Sequence, residues 1–334
     1  MQTMTARMGL LISFFTLFLV SPARAYDVNT LIFSDLKKDG TYLDMGRSGT
    51  LKDKGVKALA QSPMIRKVKI LGLKIHDITD EGAEALANSK YLKRVVVLDL
   101  FQNQIGPRGI EAIANSENFK HVEKLNLWRN KIGPAGTRAL AESKTFANLV
   151  ELDLTGNHIG AEGAKAIARS ETMRHLKVLR IGSNGIGDEG LAALSLSSNL
   201  KDLTVLDVSD NGIDADGIKF LKNSPAINHL VELSLQKNQI GNAGVSILSG
   251  LEGLKKLVSL DLQWNGITAK GAAALGHSTS LVSLKSLMLW GNRIGDDGVR
   301  SITSSKTLKN VSNTIYPFGN MDGQGVEIGG KEDY

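Results

Sequence analysis

The 334-residue chain contains no cysteine, which excludes a disulfide framework and a lipoprotein attachment thiol. That absence fits an exported protein of an oxidising compartment and a bacterial source. Aromatic residues make up only 5%, so leucine and isoleucine, not aromatic clusters, must fill whatever core the 42% apolar content builds. The net charge of +6 is small, and the basic residues are interleaved with acids, which excludes the concentrated basic face that nucleic-acid binding needs. No phosphate-binding loop, nucleotide-binding glycine signature, G-x-S-x-G elbow or H-E-x-x-H pair occurs. The reading is therefore of a non-enzymatic protein without cofactor or metal. Beyond the first 25 residues there is no apolar run of transmembrane length, so no membrane span is expected in the mature form.

What the chain does have is a repeat. Asn103, Asn130, Asn157, Asn184, Asn211, Asn238, Asn265 and Asn292 stand 27 residues apart, and His76 holds the same place one period earlier. A constant period in the twenties marks a solenoid, in which each unit buries its apolar face against its neighbours. Within a unit such as Leu149–Ala168, alternation across Leu152, Asp153 and Leu154 predicts a short strand. Ile159, Ala164, Ile167 and Ala168 then follow at helical spacing. Three residues after each asparagine stand Gly106, Gly133, Gly160, Gly187, Gly241 and Gly295, with Thr79, Asp214 and Thr268 in the remaining copies. All nine positions read as helix N-caps, and Pro107 and Pro134 suit the first helical residue.

Three residues further, every copy carries a glycine, from Gly82 to Gly298. Close approach of helix to strand layer is the expected compensation for a helical glycine's cost of about 1 kcal/mol. A second apolar column runs from Leu92 through Phe119, Phe146 and Met173 to Leu308. Parallel strands sit about 4.8 Å apart, whereas packed helices need about 8–10 Å. Strands must line the inside of an arc and helices the outside.

The pattern L-x-x-L-x-L-x-x-N-x-I-G-x-x-G-x-x-x-L-A resembles leucine-rich repeats of the ribonuclease-inhibitor-like class. The segments Glu81–Ala87 and Glu162–Ala168 resemble bacterial GALA-type repeats. The resemblance implies an α/β leucine-rich-repeat solenoid, a horseshoe with a parallel sheet on the concave face and helices on the convex face. It also implies that the asparagines from Asn103 to Asn292 bond loop backbone between adjacent units. Two further roles come only from the resemblance: a substrate adaptor in ubiquitin transfer, as in GALA-type proteins with an F-box, and a GTPase-activating protein. No F-box is recognisable between Tyr26 and the first clear repeat, and the acidic tail of the GTPase activators is missing.

The expected organisation is a signal peptide at 1–25, an N-terminal cap with a degenerate repeat at 26–67, nine repeats at 68–310, and a degenerate C-terminal cap and tail at 311–334. Arg7, the apolar run Leu10–Val20 and the small-x-small triplet Ala23-Arg24-Ala25 read as a secretory signal, giving a secreted or periplasmic protein. In the cap, Leu43, Met45 and Gly55 mark a unit spaced 28 residues from the next. Pro317 stands where a further strand would fall, and Gly319–Tyr334 reads as a loose end.

Candidate binding residues lie on the inner face. Between the two strand leucines stand Asp99, Asp153, Asp207 and Asp261, in alternate repeats, with Arg180 among them. Alternate strands are about 9.5 Å apart and calcium needs oxygens at about 2.3–2.6 Å, so this row holds no shared ion. His121, His175 and His229 are likewise too dispersed for zinc. Trp128, Trp264 and Trp290, with Phe101, fall one or two places after the second strand leucine, where the core pattern requires no aromatic. With Arg129 and Arg180 beside them, they suggest a protein-binding surface. The sequence thus reads as a monomeric scaffold for a protein partner, such as a host or envelope protein.

Overall fold

The computed structural model describes residues 28–46 and 49–315. The expected signal segment 1–25, Pro317 and the stretch Gly319–Tyr334 lie outside them. A twelve-stranded sheet runs in chain order. Its strands are β1 (Leu36–Lys37), β2 (Tyr42–Asp44), β3 (Ile70–Gly72), β4 (Val97–Asp99), β5 (Lys124–Asn126) and β6 (Glu151–Asp153). Then follow β7 (Val178–Arg180), β8 (Val205–Asp207), β9 (Glu232–Ser234), β10 (Ser259–Asp261), β11 (Ser286–Met288) and β12 (Asn313–Ile315). β1 meets β2 antiparallel, and every later pair is parallel. From β3 onward, partners are one 27-residue period apart, as in Leu152 opposite Leu179. The β2–β3 step is 28, with Leu43 opposite Leu71. At the far end Asn313–Ile315 adds one more parallel strand beside β11.

A helix follows each strand from β2 to β11, and a further helix, Val28–Asp35, precedes the sheet. Most have eight to ten residues, and Ala215–Lys219 has five. Helices this short are marginal alone in water; packing holds them. Both strand leucine columns are buried, as is the second apolar column from Leu92 to Leu308. Together they form one continuous core between sheet and helices, an α/β leucine-rich-repeat solenoid.

Two local expectations need correction. The crowding at the helical glycines comes from the preceding helix and the loop below, not from the strand layer. An added Cβ at Gly136 would stand 2.6 Å from Ile110 Cγ2 and 3.2 Å from Pro107 Cα, both on the preceding helix, and 2.8 Å from Ile132 Cγ2.

The nine presumed caps are also of two kinds. Thr79, Gly106, Asp214 and Thr268 are extended N-caps, as expected. Gly133, Gly160, Gly187, Gly241 and Gly295 instead have φ between +58° and +62°, inside the first turn. The preceding repeat decides which kind forms. Where its first helical turn opens with Asp53, Asp80, Asp188 or Asn242, that side chain accepts the N–H of Thr79, Gly106, Asp214 or Thr268 at 2.6 to 3.0 Å. Where the same position is Pro107, Pro134, Ala161, Ala215 or Ala269, no acceptor is offered and the left-handed glycine follows. The N–H of Gly133, Gly160, Gly187 and Gly241 then turns forward to the carbonyl of the next repeat's asparagine at 3.0 or 3.1 Å.

Candidate functional site

The inner face is held by two ladders. The first is the asparagine column, whose side chains are all buried. Asn184 is representative: Nδ2 donates to the carbonyls of Leu154 and Ile181, both at 2.9 Å, while Oδ1 accepts the N–H of Asn157 at 2.9 Å and of Ile159 at 3.3 Å. Each amide thus ties its own loop to the preceding one, and Asn103, Asn130, Asn157, Asn211, Asn238, Asn265 and Asn292 bond likewise. His76 takes the column's first place. It is 1% exposed; Nδ1 accepts the Leu51 N–H at 3.3 Å, and Nε2 has no hydrogen-bond partner among the described residues. Burial lowers its pKa, against weaker backbone contributions that raise it.

The second ladder escaped the sequence reading. Thirteen residues after the asparagine position stand Ser89, Ser116, Ser143, Ser170, Ser197, Ser278 and Ser305, each donating to a carbonyl of the preceding helix at 2.5 to 2.7 Å. Aligning the units at their 27-residue period displays the column; only its partner, a carbonyl 29 residues earlier, was invisible.

On this frame the strand-centre residues project from the inner face, half-buried. Asp99, Asp153, Asp207 and Asp261 each accept, through Oδ1, the backbone N–H two residues on, at 2.9 to 3.1 Å. Asn126 makes the same bond to Trp128 N–H at 3.0 Å without a charge. Holding the strand end therefore needs an acceptor, not a carboxylate. Burial raises the carboxyls of Asp153 and Asp261 above the usual range, and the charge of Asp207 adds to both rises. Hydrogen bonds from Thr155 and Gln263 oppose the rise, and Arg180 opposes it further at Asp153. Toward the N-terminal end, Lys74 lies 3.7 Å from Asp44 and 3.3 Å from Asp99. Burial acts to lower the Lys74 pKa, but the two carboxylates outweigh it and leave the ammonium raised.

The aromatic residues do not form one patch. Phe101 and Trp128 meet at 4.7 Å between centroids, with Arg129 5.4 Å over the Trp128 ring. Trp264 and Trp290 meet edge-on at 4.6 Å. Five repeats separate the two groups, about 24 Å at parallel-strand spacing. The three indoles are 37%, 44% and 37% exposed, so none belongs to the core.

Backbone geometry adds to the case for Trp264. The residue just before each ladder position has positive φ in all nine repeats, and Gly156 and Gly291 fill it in two of them. Left-handed geometry costs a residue with a Cβ roughly 1–2 kcal/mol. Trp264, at +55°, and the half-exposed Ile75, at +61°, keep large side chains there nonetheless. The Trp264 ring covers the next repeat's Gly291, where a Cβ would fall 2.3 Å from Trp264 Cδ2. The sequence signal for this pairing, a glycine one period after a tryptophan, was present and unread.

His121, His158, His175, His229 and His277 are exposed. Among the described residues no group of acids and histidines has metal-binding geometry, and no helix is long and apolar enough to cross a membrane.

A strand–loop–helix unit repeated around an asparagine ladder defines the class of the protein. The chain belongs to the leucine-rich repeat family: the family's "Leucine Rich repeat" model matches nine segments, at 66–87, 95–114, 120–141, 147–168, 172–195, 199–222, 226–249, 253–276 and 280–302. These cover more than half of the sequence. Among curated proteins, none matches the chain. Among solved structures, an internalin (inlF) from Listeria monocytogenes str. 4b F2365 is similar, with 19% sequence identity and a TM-score of 0.48. The similarity covers 83% of this chain and 86% of the internalin chain.

Proposed function

We propose that this protein is an exported, non-enzymatic recognition scaffold that binds a protein partner through the inner face of its sheet. One observation carries the reading: two pairs of aromatic rings, Phe101–Trp128 and Trp264–Trp290, touch across neighbouring repeats outside the core. Exposed tryptophan beside charge is the composition of a binding hot spot, and a curved sheet offers an extended surface for it. Arg129 over Trp128, Arg180, and the carboxylates of Asp99, Asp153, Asp207 and Asp261 supply the polar surroundings. Export rests on the composition of residues 1–25, which reads as a cleaved secretory signal to the periplasm or exterior. A single chain suffices for the surface, so the working form is a monomer.

The test is retention of partners by immobilised protein from envelope and target-cell extracts, read by mass spectrometry. Replacing Trp128, Trp264 and Trp290 together by alanine should abolish retention of the specific partner while circular dichroism stays unchanged, since exposed side chains contribute little to folding. Equal retention by the triple variant would reject the site.

A further inference from the structure

Of the four intervals along the carboxylate row, two hold a cation of the chain's own; Asn126 stands uncharged between Asp99 and Asp153, flanked on β5 by Lys124, and the interval between Asp207 and Asp261 has no cation on its strand. Between Asp44 and Asp99 the chain sets its own Lys74, in ion-pair range of both. Between Asp153 and Asp207 stands Arg180, on the intervening strand β7. Between Asp207 and Asp261 the intervening strand β9 offers only Ser234 at the matching position. Its flanking inner-face residues, Glu232 and Gln236, add no positive charge, and on the far side β11 brings Ser286, Met288 and Trp290. Among the described residues neither Asp207 nor Asp261 has an ion pair within 4.0 Å, and exposed Lys237 in the following loop reaches neither; the Gln263 amide donates to Asp261 Oδ2 at 3.1 Å but brings no charge. The fold does not require these charges, because Asn126 does the same backbone work uncharged. Beyond Asp261, in the loops after β10 and β11, stand the exposed Trp264 and Trp290 rings, with Gly291 leaving Trp264 room.

We propose that the bay over Ser234 receives a cationic side chain, arginine or lysine, of an extended polypeptide partner. The charge sits between Asp207 and Asp261, where Arg180 sits one interval earlier in the row. The aliphatic stem and a neighbouring apolar residue pack on Trp264 and Trp290, whose ring faces attract cations as well. Asp207 and Asp261 are rooted two strands apart, about 9.5 Å; a guanidinium has donors on opposite edges and bonds to both once the carboxylates lean inward over Ser234. This inference rests on the protein-recognition reading and adds to it the sign of the partner's charge and the part of the face that reads it.

Full-length mature protein is titrated at low ionic strength with a blocked octapeptide alternating arginine and leucine, with its glutamate counterpart, and with a neutral cello-oligosaccharide. Tryptophan fluorescence and calorimetry follow binding. The basic peptide should bind saturably and more weakly as salt rises, and the acidic peptide should not bind. The double variant D207N/D261N should lose roughly tenfold or more in affinity. S234R, which fills the bay with a cation of the chain's own, should lose as much.

Absence of saturable binding by the basic peptide, equal binding of both peptides, unchanged affinity in both variants, or binding of the oligosaccharide alone would each overturn the proposal. The two readings fail separately. If D207N/D261N keeps a natural partner that the triple tryptophan variant loses, the charge assignment falls and recognition stands. If both variants keep every partner, both fall.

Discussion

His76 carries the ladder's first position with a side chain that titrates. Asparagine there would offer both an amide donor and an acceptor, as Asn184 does to five backbone groups. The imidazole instead accepts from Leu51 N–H and leaves its other nitrogen unpartnered among the described residues. Burial depresses its pKa, so the folded state binds a proton less readily than the unfolded chain. Its contribution to stability is complete above the unfolded value of about 6.5 and is lost as pH falls through the depressed folded value. Denaturation midpoints should therefore drop on mild acidification in the wild type, and H76N should flatten that part of the profile. An unchanged acid limb in H76N would assign the dependence to other groups. The histidine's place was readable from the period alone; its lack of a second partner was not, because that depends on how the imidazole sits against the degenerate unit before it.

At the scale of the element, the helix starts show where a repeat can be read and where it cannot. The leucines and asparagines do the same job in every unit, so spacing reveals them. The residue three places after the asparagine does one of two jobs, and its own identity does not say which. Gly106 and Gly133 are both glycine, yet Gly106 has φ −101° and Gly133 has φ +62°. The difference comes from Asp80 before one and Pro107 before the other. Gly133→Ala should accordingly cost about 1–2 kcal/mol, the strain of a left-handed residue with a Cβ. Gly106→Ser should be close to neutral, since serine is a good N-cap and its Cβ would meet only the Asp80 carboxylate, at 3.2 Å. Chemical denaturation of the two variants checks the contrast. Among the aromatic residues the same limit applies: spacing put them in one stretch of the repeat, but did not show their division into two pairs five repeats apart, because packing across neighbours decides which rings touch.

For the molecule as a whole, every unit's loop is tied only to the units beside it, so stability is the sum of local ties along a line. Asn184 lies near the middle of that line. Asn184→Ala removes an amide that serves the backbone of two loops and leaves buried groups unpaired, a loss of about 2–4 kcal/mol. Hydrogen exchange should then show protection falling on both sides of residue 184 and recovering toward the neighbouring units; uniform loss across the chain would mean that the solenoid unfolds as one body. The two aromatic pairs sit on opposite sides of that point, so the same change should also loosen the spacing between them.

The dependence of each helix start on the residue opening the helix before it makes the modules mate like plug and socket. Units such as those around Asn130 and Asn157 carry glycine facing the unit before and, at the next residue, proline or alanine facing the unit after, so copies of them could be spliced in tandem without a mismatch. The unit around Asn211 must follow an aspartate- or asparagine-bearing neighbour and precede a glycine-bearing one. Lengthening or shortening this protein, by evolution or by hand, is thus free at some joints and forbidden at others, and the letters at two positions per unit tell which.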